Sequence, residues 1–394
     1  MSRTLIKVLV VLGTRPEAIK LSPVVLELGS RTGCFDVRVC VTAQHREMLD
    51  QVLAVFDIVP DHDLDVMRPG QSLLQSASRI LAALEAVLDS AHPDVLLVQG
   101  DTTTTLCGAL AAFYKHIPVG HIEAGLRTGD VRQPFPEEMN RLIATRLANM
   151  HFAATQEAES NLLAEGVPAK TILVTGNPGI DAVCQVRDRI LSGRLRGRPW
   201  TDLSSTKKTI VVTAHRRESF GEGFEGICQA IHRMAERPDV QIVYPVHPNP
   251  NVREPVERWL RGRSNVLLTD PLTYVEFVDL MQRSCFLLTD SGGVQEEGPS
   301  LGKPVLVMRE KTERPEAVRA GTARLVGTDP ERIVAEASTL LDDMQEYERR
   351  VAIYNPYGDG LASHRIADFI QVYFGKKDLA EIASFRPSFA EVHG

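Results

Sequence analysis

Long apolar runs are missing from this chain, which excludes a membrane-spanning segment from its predicted elements. No stretch approaches the ~20 apolar residues that a transmembrane helix needs. The first residues, MSRTLIKVLVVLG, run directly into GTRPE and lack a small-residue cleavage site. They therefore predict a buried first strand and not a signal peptide.

An excess of positive charge is also missing, since 44 lysines and arginines face 51 aspartates and glutamates, a net charge of −7. Nothing global favours nucleic acid or an anionic membrane, and we expect neither as a partner. The six cysteines form no CxxC pair. This scarcity predicts reduced thiols in a cytoplasmic protein, with neither a disulfide framework nor a zinc site.

Two common catalytic signatures are absent as well. The chain has no GxxxxGK[ST] phosphate loop, which argues against a P-loop kinase or ATPase. It has no HExxH, the zinc-binding pattern of many metalloproteases. We expect neither a metal nor a cofactor.

What the sequence does contain is an alternation of short apolar strands with helical stretches over 394 residues, a length typical of two domains. Strands that are apolar throughout, each followed by a helix, predict α/β domains with parallel sheets covered on both faces. Turn residues cluster at 175–181, where we place the change of domain. Residues 360–374 predict an amphipathic helix, and the remaining tail, about 20 residues, is expected to be loose.

Polar and glycine-rich segments follow the predicted strands of both halves. They are GTRPEAIK, GDTTTT, EAGLRTGD, AHRRESFG, HPNPN and DSGG. In parallel sheets, ligands bind beyond the carboxyl ends of the strands. The pattern therefore predicts a ligand cleft between the two domains.

The segment LTDSGGVQEEG combines a glycine pair with carboxylates. The N–H groups of Gly292 and Gly293, with the Ser291 hydroxyl, can face an anion at the start of a helix. Glu297, about one turn later, can accept hydrogen bonds from sugar hydroxyls. This arrangement suits a nucleotide, and the alternative is a glycine-rich turn with helix-capping acids.

Basic side chains follow two other strands. Arg15, at the end of the first strand, can clamp a diphosphate, and Lys20 lies about one helical turn later. His215, in AHRRES, can donate to a phosphate or protonate a leaving oxygen. A surface cluster of histidine and arginine explains the second motif equally well.

Three acids near strand ends are the most unusual feature of the sequence. Asp101, Glu123 and Glu137 have Arg127 and Arg141 near them in the sequence. Carboxylates gathered in one cleft suit proton transfer. A divalent metal is another use for them, and Asp101 and Glu137 are also good residues for helix starts.

With these motifs together, the chain closely resembles the bacterial non-hydrolysing UDP-N-acetylglucosamine 2-epimerases. The resemblance extends from about Val8 to Gly327 and includes GTRPEAIKLSPV, QGDTTTTLCGALAAFY, IPVGHIEAGLRTGD, FPEEMNR, TAHRRESFG and LTDSGGVQEEGPSLGKPVLVMR. It implies a GT-B-like fold, in which two Rossmann-like domains have parallel sheets facing each other across a cleft. The implied domains are residues 1–176 with 361–394, whose C-terminal helix crosses back, and residues 177–360. A homodimer is also implied.

The implied reaction converts UDP-N-acetylglucosamine reversibly into UDP-N-acetylmannosamine, by elimination of UDP to 2-acetamidoglucal and re-addition. Proton transfer is implied for Asp101, Glu123 and Glu137, with His215 at the diphosphate. Further substrate-binding positions are matched by Arg15, Lys20, Arg141, Leu272, Phe277, Ser291, Gly292, Gly293, Glu297 and Arg314. Among these, Glu297 matches the ribose position, and Leu272 and Phe277 match positions near the uracil.

A second, allosteric site for the UDP-sugar is matched in part by Gln44 and His247. The chain departs from the family pattern at Gly70, where some relatives have an arginine. Three other functions stay open from the sequence. They are a hydrolysing epimerase that releases UDP and free N-acetylmannosamine, a GT-B glycosyltransferase that uses a UDP-sugar, and a catalytically silent UDP-sugar sensor.

Overall fold

The computed structural model describes residues 5–42, 46–68 and 70–386. The chain forms two compact units. Unit 1 combines Met1–Ala182 with Tyr357–Arg386, and unit 2 contains Val183–Pro356. The domain boundaries expected from the sequence, at 176/177 and 360/361, stay a prediction.

Unit 1 is built on one sheet whose strands all run parallel. The strands are β1 (Ile6–Leu12), β2 (Phe35–Val41), β3 (His62–Asp63), β4 (Val95–Gln99), β5 (Val119–Ala124), β6 (Met150–Ala153) and β7 (Ile172–Val174). Their order across the sheet is β3-β2-β1-β4-β5-β6-β7. The order reverses between β1 and β4, and polar loops at such a point are where doubly wound sheets bind ligands.

Helices connect these strands and cover the sheet. They are α1 (Arg15–Ser30), α2 (Arg46–Val55), α3 (Leu73–Ala91), α4 (Thr103–Tyr114), α5 (Glu137–Leu147), α6 (Gln156–Ala164) and α7 (Pro178–Leu191), the last of which continues into unit 2. Thr14 and Glu17 form a reciprocal capping box at the start of α1. That cap fixes the turn directly after β1, where the candidate residue Arg15 begins the helix.

Unit 2 repeats the same plan. Its parallel strands are β8 (Lys208–Thr213), β9 (Val240–Pro245), β10 (Val266–Thr269), β11 (Phe286–Thr289), β12 (Val305–Val307) and β13 (Ala323–Leu325), in the order β10-β9-β8-β11-β12-β13. The helices are α8 (Glu222–Met234), α9 (Pro250–Leu260), α10 (Tyr274–Arg283), α11 (Gly292–Ser300), α12 (Pro315–Ala320), α13 (Pro330–Asp342) and α14 (Met344–Val351). Here the order reverses between β8 and β11.

A last helix, α15 (Ala362–Tyr373), belongs to unit 1 and packs against α1. Arg31, directly after α1, donates to Asp368 of α15 at 2.5 Å. Asp181 accepts the backbone N–H groups of Ala362 and Ser363, at 3.2 and 2.8 Å, and so caps the helix start.

The expectation of a loose tail is wrong for the segment between α15 and Arg386. Phe385 is fully buried in a unit 1 core cluster, and its N–H donates to Val174 at 2.8 Å. The guanidinium of Arg365 lies 5.4 Å from the centroid of its ring. A buried aromatic and a strand-like hydrogen bond hold this segment, which sequence periodicity alone does not reveal.

Each unit has its own apolar core, formed by strands that are buried on both faces, as the sequence predicts. Within the three described ranges, none of the helices combines the length and the apolar character that crossing a bilayer requires.

Candidate functional site

The turns after β1 and β4 lie together where the strand order of unit 1 reverses. Gly13 follows β1, and a side chain there would overlap the hydroxyls of Thr42 and Thr104, so the close approach requires glycine. Arg15 is exposed just beyond this turn. Gly100, with φ of +72°, turns the chain from β4 to Asp101. The sequence motifs GTRPE and GDTTTT therefore meet at one edge of the sheet.

A buried carboxylate joins these two turns. Glu17 accepts the N–H groups of Gly13 and Thr14, at 3.0 and 2.7 Å, and the hydroxyl of Thr102 at 2.7 Å. Burial raises the pKa of Glu17, while these hydrogen bonds oppose the shift. Nothing in the sequence near Glu17 signals its link to the second turn, because Thr102 lies 85 residues away.

Asp101 pairs with the buried Arg141, and both residues were predicted to belong to the site. Arg141 donates to Asp101 Oδ2, and its other terminal nitrogen donates to Glu138 at 3.0 Å. The cap of α4 is Thr102, so Asp101 is not used as the helix cap. Its side chain remains 27% exposed, which leaves one oxygen within reach of a ligand.

Glu123 is held by donors on both carboxylate oxygens. Lys20 Nζ lies 2.7 and 2.6 Å from its two oxygens, Gln99 donates to one, and Asn177 donates to the other at 3.0 Å. Its backbone has φ of +60°, at a shift of register in β5. A left-handed backbone is rare outside glycine, and such strain concentrates at functional sites.

Glu137, the third predicted acid, begins α5 and is half-buried. Its neighbour Glu138 is the structural acid of this helix, because it is buried, pairs with Arg141 and accepts the N–H of Thr128 at 3.1 Å. The predicted choice of Glu137 over Glu138 stays a prediction. The structure shows that Glu138 is the acid that holds the loop in place.

His121 lies beneath this edge and was not predicted from the sequence. Its Nε2 lies 2.8 Å from the carbonyl oxygen of Gly100. Burial lowers its pKa to about 4, so the imidazole is neutral near pH 7 and Nε2 donates. His121 therefore supports the turn that carries Asp101.

In unit 2, the predicted anion-binding residues gather at the turns after β8 and β11. Asp290, directly after β11, is fully buried and accepts the N–H groups of His215 and Arg216 at 2.6 and 2.7 Å. It thereby shapes the loop after β8. Asp290 stands in the DSGG motif but was not predicted as a site residue, since its partners lie 75 residues away.

His215 faces a mixed electrostatic environment. Its Nδ1 lies 3.5 Å from Asp290 Oδ1, and its ring stacks on His247 with centroids 5.4 Å apart. Burial lowers the pKa of His215, and Asp290 opposes the shift. The neutral imidazole can donate one N–H to a phosphate oxygen, but it is a poor general acid near pH 7.

Helix α11 begins with a glycine pair that has open space beside it. Ser291 occupies the cap position without making a side-chain cap. A side chain added at Gly292 would meet nothing closer than the guanidiniums of Arg216 and Arg314, both at 4.0 Å. Two arginines and a helix start around an open glycine pair suit an anion.

Residues of α11 hold the Arg314 side chain and its loop in place. Its Nε donates to Glu296, and its N–H donates to Thr312, whose hydroxyl donates to Gln295 at 2.7 Å. The carboxylate pair after the glycines therefore divides its roles. Glu296 is buried and orients Arg314, while Glu297 lies nearer to Gly293, with Oε1 3.9 Å from where a side chain would begin.

The other predicted residues of unit 2 lie in loops or in the first turn of α10. Leu272 and Phe277 are half-buried, on either side of the Thr273 cap that starts α10. His247 is exposed and accepts the N–H of Asn249 at 3.1 Å. Gln44 lies outside the described residues. Among the residues that the structure does describe, no three or more His, Cys, Asp or Glu side chains are grouped to hold a metal ion.

Comparison with known proteins adds the family. A family model described as UDP-N-acetylglucosamine 2-epimerase matches residues 27–371. A protein of Ralstonia nicotianae named "Probable UDP-N-acetylglucosamine 2-epimerase" is 57% identical over 373 residues, which cover 93% of this chain and 99% of the relative. The UDP-N-acetylglucosamine 2-epimerase of Escherichia coli is 56% identical over 372 residues, covering 93% and 98%.

A solved structure agrees with these relatives. The UDP-GlcNAc 2-epimerase of Neisseria meningitidis, solved with bound UDP-GlcNAc, has a TM-score of 0.84 and 46% identity, covering 94% of this chain and all of that one. With two parallel sheets of the same strand order, the predicted GT-B-like α/β fold is confirmed.

Proposed function

The chain belongs to the UDP-N-acetylglucosamine 2-epimerase family, and from that premise we propose that it interconverts UDP-N-acetylglucosamine and UDP-N-acetylmannosamine without releasing free sugar. The observation that carries the proposal is the pair of polar loop clusters at the two points where strand order reverses. One presents arginines around a glycine pair, and the other presents carboxylates.

The proposed reaction has two halves, and each balances. First the C1–O bond breaks, its electron pair leaves with UDP, and the C2 proton is lost to a base, giving 2-acetamidoglucal. The C2 proton is poorly acidic while C1–O is intact, so departure of UDP must come first or run ahead. Then UDP attacks C1 while a proton returns to the opposite face of C2. The protein must therefore stabilise an anion and transfer protons.

Unit 2 supplies the groups proposed for the UDP moiety. The N–H groups of Gly292 and Gly293, the Ser291 hydroxyl and the neutral His215 imidazole would donate to the diphosphate, and Arg314 would offset its charge. Glu297 would accept from the ribose hydroxyls, with Leu272 and Phe277 beside the uracil. Support comes from the open space that Arg216 and Arg314 border at Gly292. Arg15 is assigned to the same diphosphate by resemblance.

Unit 1 supplies the groups proposed for proton transfer at C2. Asp101 keeps one carboxylate oxygen without a hydrogen-bond donor among the described residues, and Glu137 is half-buried with no side-chain hydrogen bond in the same ranges. Both can therefore exchange protons with a sugar. Glu123 has donors on both oxygens, so its proton transfer requires Lys20 or an amide to move aside. Lys20 and Arg141 would otherwise hold the carboxylates in place.

An NMR time course in deuterium oxide tests the proposal directly. The purified protein would receive UDP-N-acetylglucosamine alone, without acceptor, metal or nicotinamide. We expect UDP-N-acetylmannosamine that carries deuterium at C2. Free N-acetylmannosamine plus UDP would instead establish a hydrolysing epimerase. Unchanged substrate would contradict an epimerase and leave the glycosyltransferase or sensor as the explanation.

We further propose that the enzyme is a homodimer, and its cytoplasmic location stays a prediction. Exposed apolar side chains on α3 and α4 support an assembly. Leu74, at the start of α3, is 83% exposed. Phe113 and Tyr114, next to each other at the end of α4, are 54% and 68% exposed. Large apolar side chains next to each other on a surface are common at protein interfaces.

A further inference from the structure

Asp290, directly after β11, has one carboxylate oxygen that no donor reaches. Its Oδ2 accepts the N–H groups of His215 and Arg216, at 2.6 and 2.7 Å. Its Oδ1 is buried and has no hydrogen-bond partner among the described residues. His215 Nδ1 lies 3.5 Å from that oxygen, which is longer than a normal N–H···O hydrogen bond. Buried acceptors nearly always have a donor, and the imidazole is the group placed to supply it.

The backbone around this pair is fixed, so the imidazole stays beside Asp290. The N–H of Asp290 donates to Thr213 at 3.0 Å, and the buried Tyr244 donates its hydroxyl to the carbonyl of Ala214 at 2.8 Å. The His215 side chain is nevertheless 42% exposed, whereas that of Asp290 is fully buried. Because Nδ1 faces the interior carboxylate, Nε2 is the nitrogen that a ligand can reach.

A neutral imidazole cannot donate to an acceptor on each side. The neutral ring has one N–H and one lone pair. If Nε2 carries the hydrogen and donates to a diphosphate oxygen, the Nδ1 lone pair faces Asp290 Oδ1. If Nδ1 carries it and donates to Asp290, the Nε2 lone pair faces the diphosphate. Only the imidazolium, which has an N–H at both positions, can donate to both anions at once.

The other groups near His215 do not remove this conflict. Arg216, in the same loop, disfavours a further positive charge, whereas Asp290 favours it. Arg314, before α12, borders the same open space as Arg216. His247, after β9, stacks on the His215 ring, and its own Nδ1 already accepts a backbone N–H. Burial lowers the pKa of His215, and a diphosphate on the exposed side of the ring would oppose that effect.

We propose that UDP binding draws a proton from solvent onto His215, with Asp290 as the positioning residue that accepts the new Nδ1–H. The ring donates from Nε2 to the diphosphate, and its Nδ1 lone pair, left against a carboxylate oxygen, takes up the proton. The imidazolium formed in this way offsets the negative charge that UDP gains as the C1–O bond breaks. The inference rests on the UDP site proposed above.

Calorimetric titration of the full-length protein with UDP counts the protons. The titration is repeated near pH 7.5 in buffers whose ionisation enthalpies differ, and the dependence of the binding heat on that enthalpy gives the protons taken up per UDP. At this pH the terminal phosphate of UDP, with a second pKa of about 6, is already ionised. We expect the wild type to take up roughly half a proton or more per UDP, and its UDP affinity to fall as pH rises.

Three variants assign the proton. His215→Gln, at a partly exposed side chain, should lose most of the uptake. Asp290→Asn should bind UDP without the uptake, because its amide can donate to a neutral Nδ1 while the Nε2–H still donates to the diphosphate. Ser291→Ala is the matched control, which should weaken UDP binding but keep the uptake.

The outcomes separate this inference from the UDP site itself. A wild type that does not bind UDP contradicts the proposed site and the inference with it. UDP binding without proton uptake, or with equal uptake in the wild type and His215→Gln, overturns the inference and leaves the site standing. Uptake that persists in Asp290→Asn overturns the role of Asp290.

Histidine side-chain NMR of the wild type makes the test independent of the folding of Asp290→Asn. The ring signals of His215 are identified by their absence in His215→Gln. They should change from the pattern of a neutral ring to that of an imidazolium when UDP is added. A His215 ring that stays neutral in the UDP complex overturns the inference.

Discussion

Single carboxylates in this chain have roles that depend on which donors reach them. Asp101 and Glu137 retain accessible oxygens, whereas Glu17 and Glu138 have hydrogen-bond donors on both oxygens. In Asp290, one oxygen accepts two backbone N–H groups. Proton transfer requires a carboxylate oxygen that is free to bind a proton, whereas a carboxylate that accepts several hydrogen bonds can hold a loop in place.

Asp101→Asn should abolish most turnover while leaving UDP affinity nearly unchanged. The amide keeps the size of the side chain but cannot accept a proton, and general acid–base catalysis contributes roughly 10²–10⁴-fold. Turnover is measured by the deuterium-oxide time course, and UDP affinity by calorimetry. Near-normal turnover would remove Asp101 from the mechanism, and loss of UDP affinity would indicate misfolding instead.

Glu297→Ala should weaken UDP binding by about tenfold, because a carboxylate that accepts from ribose hydroxyls is lost. The matched control is Glu296→Ala, which should act through Arg314 and therefore also weaken binding of inorganic pyrophosphate. Glu297→Ala should leave pyrophosphate binding intact. Unchanged UDP affinity in Glu297→Ala would contradict its ribose role.

The sequence predicted most residues of these clusters, but not the residues that hold them in place. Strand ends and glycines locate Asp101 and Ser291, because such residues are exposed by the fold class itself. Glu17 and Asp290 were missed as site residues. Their partners Thr102 and His215 are distant in sequence, and residue spacing carries no information about such contacts.

Among the secondary-structure elements, α15 shows what a buried capping residue implies for stability. Asp181 accepts two N–H groups at the start of this helix, yet burial raises its pKa to about 6 from 3.8. The ionised form of Asp181 is therefore less favoured in the folded protein than in the unfolded chain. The free-energy cost of burying the ionised carboxylate is absent below pH 3.8 and fully present above pH 6.

The unfolding free energy of the wild type should fall relative to Asp181→Asn as pH rises through this window. The difference between the two proteins should change by about 2 kcal/mol between pH 4 and pH 7, since each pKa unit corresponds to about 1.4 kcal/mol and part of the cost is already present at pH 4. Urea unfolding at several pH values measures it. A difference that does not vary with pH would mean that the carboxylate is not desolvated.

The segment after α15 supports a second prediction. Phe385→Ala should destabilise unit 1 by about 3 kcal/mol, the typical cost of emptying a buried aromatic site. Hydrogen exchange should then become faster in β7, whose Val174 it contacts. Leu379→Ala, at a position that is 48% exposed, is the control and should change little. Equal exchange rates in both variants would contradict a packed tail.

At the scale of the whole molecule, the repeated strand order explains why so much of the fold was predictable. Buried parallel strands appear in the sequence as apolar runs, and eleven of the thirteen strands in the described residues lie on such runs. Two were missed, β3 with two residues and β13 with three, because each lies at a sheet edge and is too short to show a pattern.

The proposed dimer is also tested on the whole molecule. Phe113→Glu combined with Tyr114→Glu should convert a dimer into a monomer, because two buried charges would destabilise an apolar contact. Light scattering gives the mass. Leu191→Glu, at an exposed apolar position in unit 2, should leave the mass unchanged. A wild-type protein that is already monomeric would contradict the proposed homodimer.

The chain leaves unit 1 to build unit 2 and returns to it only at α15. During synthesis on the ribosome, the whole of unit 2 is therefore made before the helix that packs on α1 exists. The first unit must wait with that face uncovered and with Asp181 lacking the N–H groups that it caps. Any premature stop within unit 2 thus damages both units, the one that is cut short and the one already made.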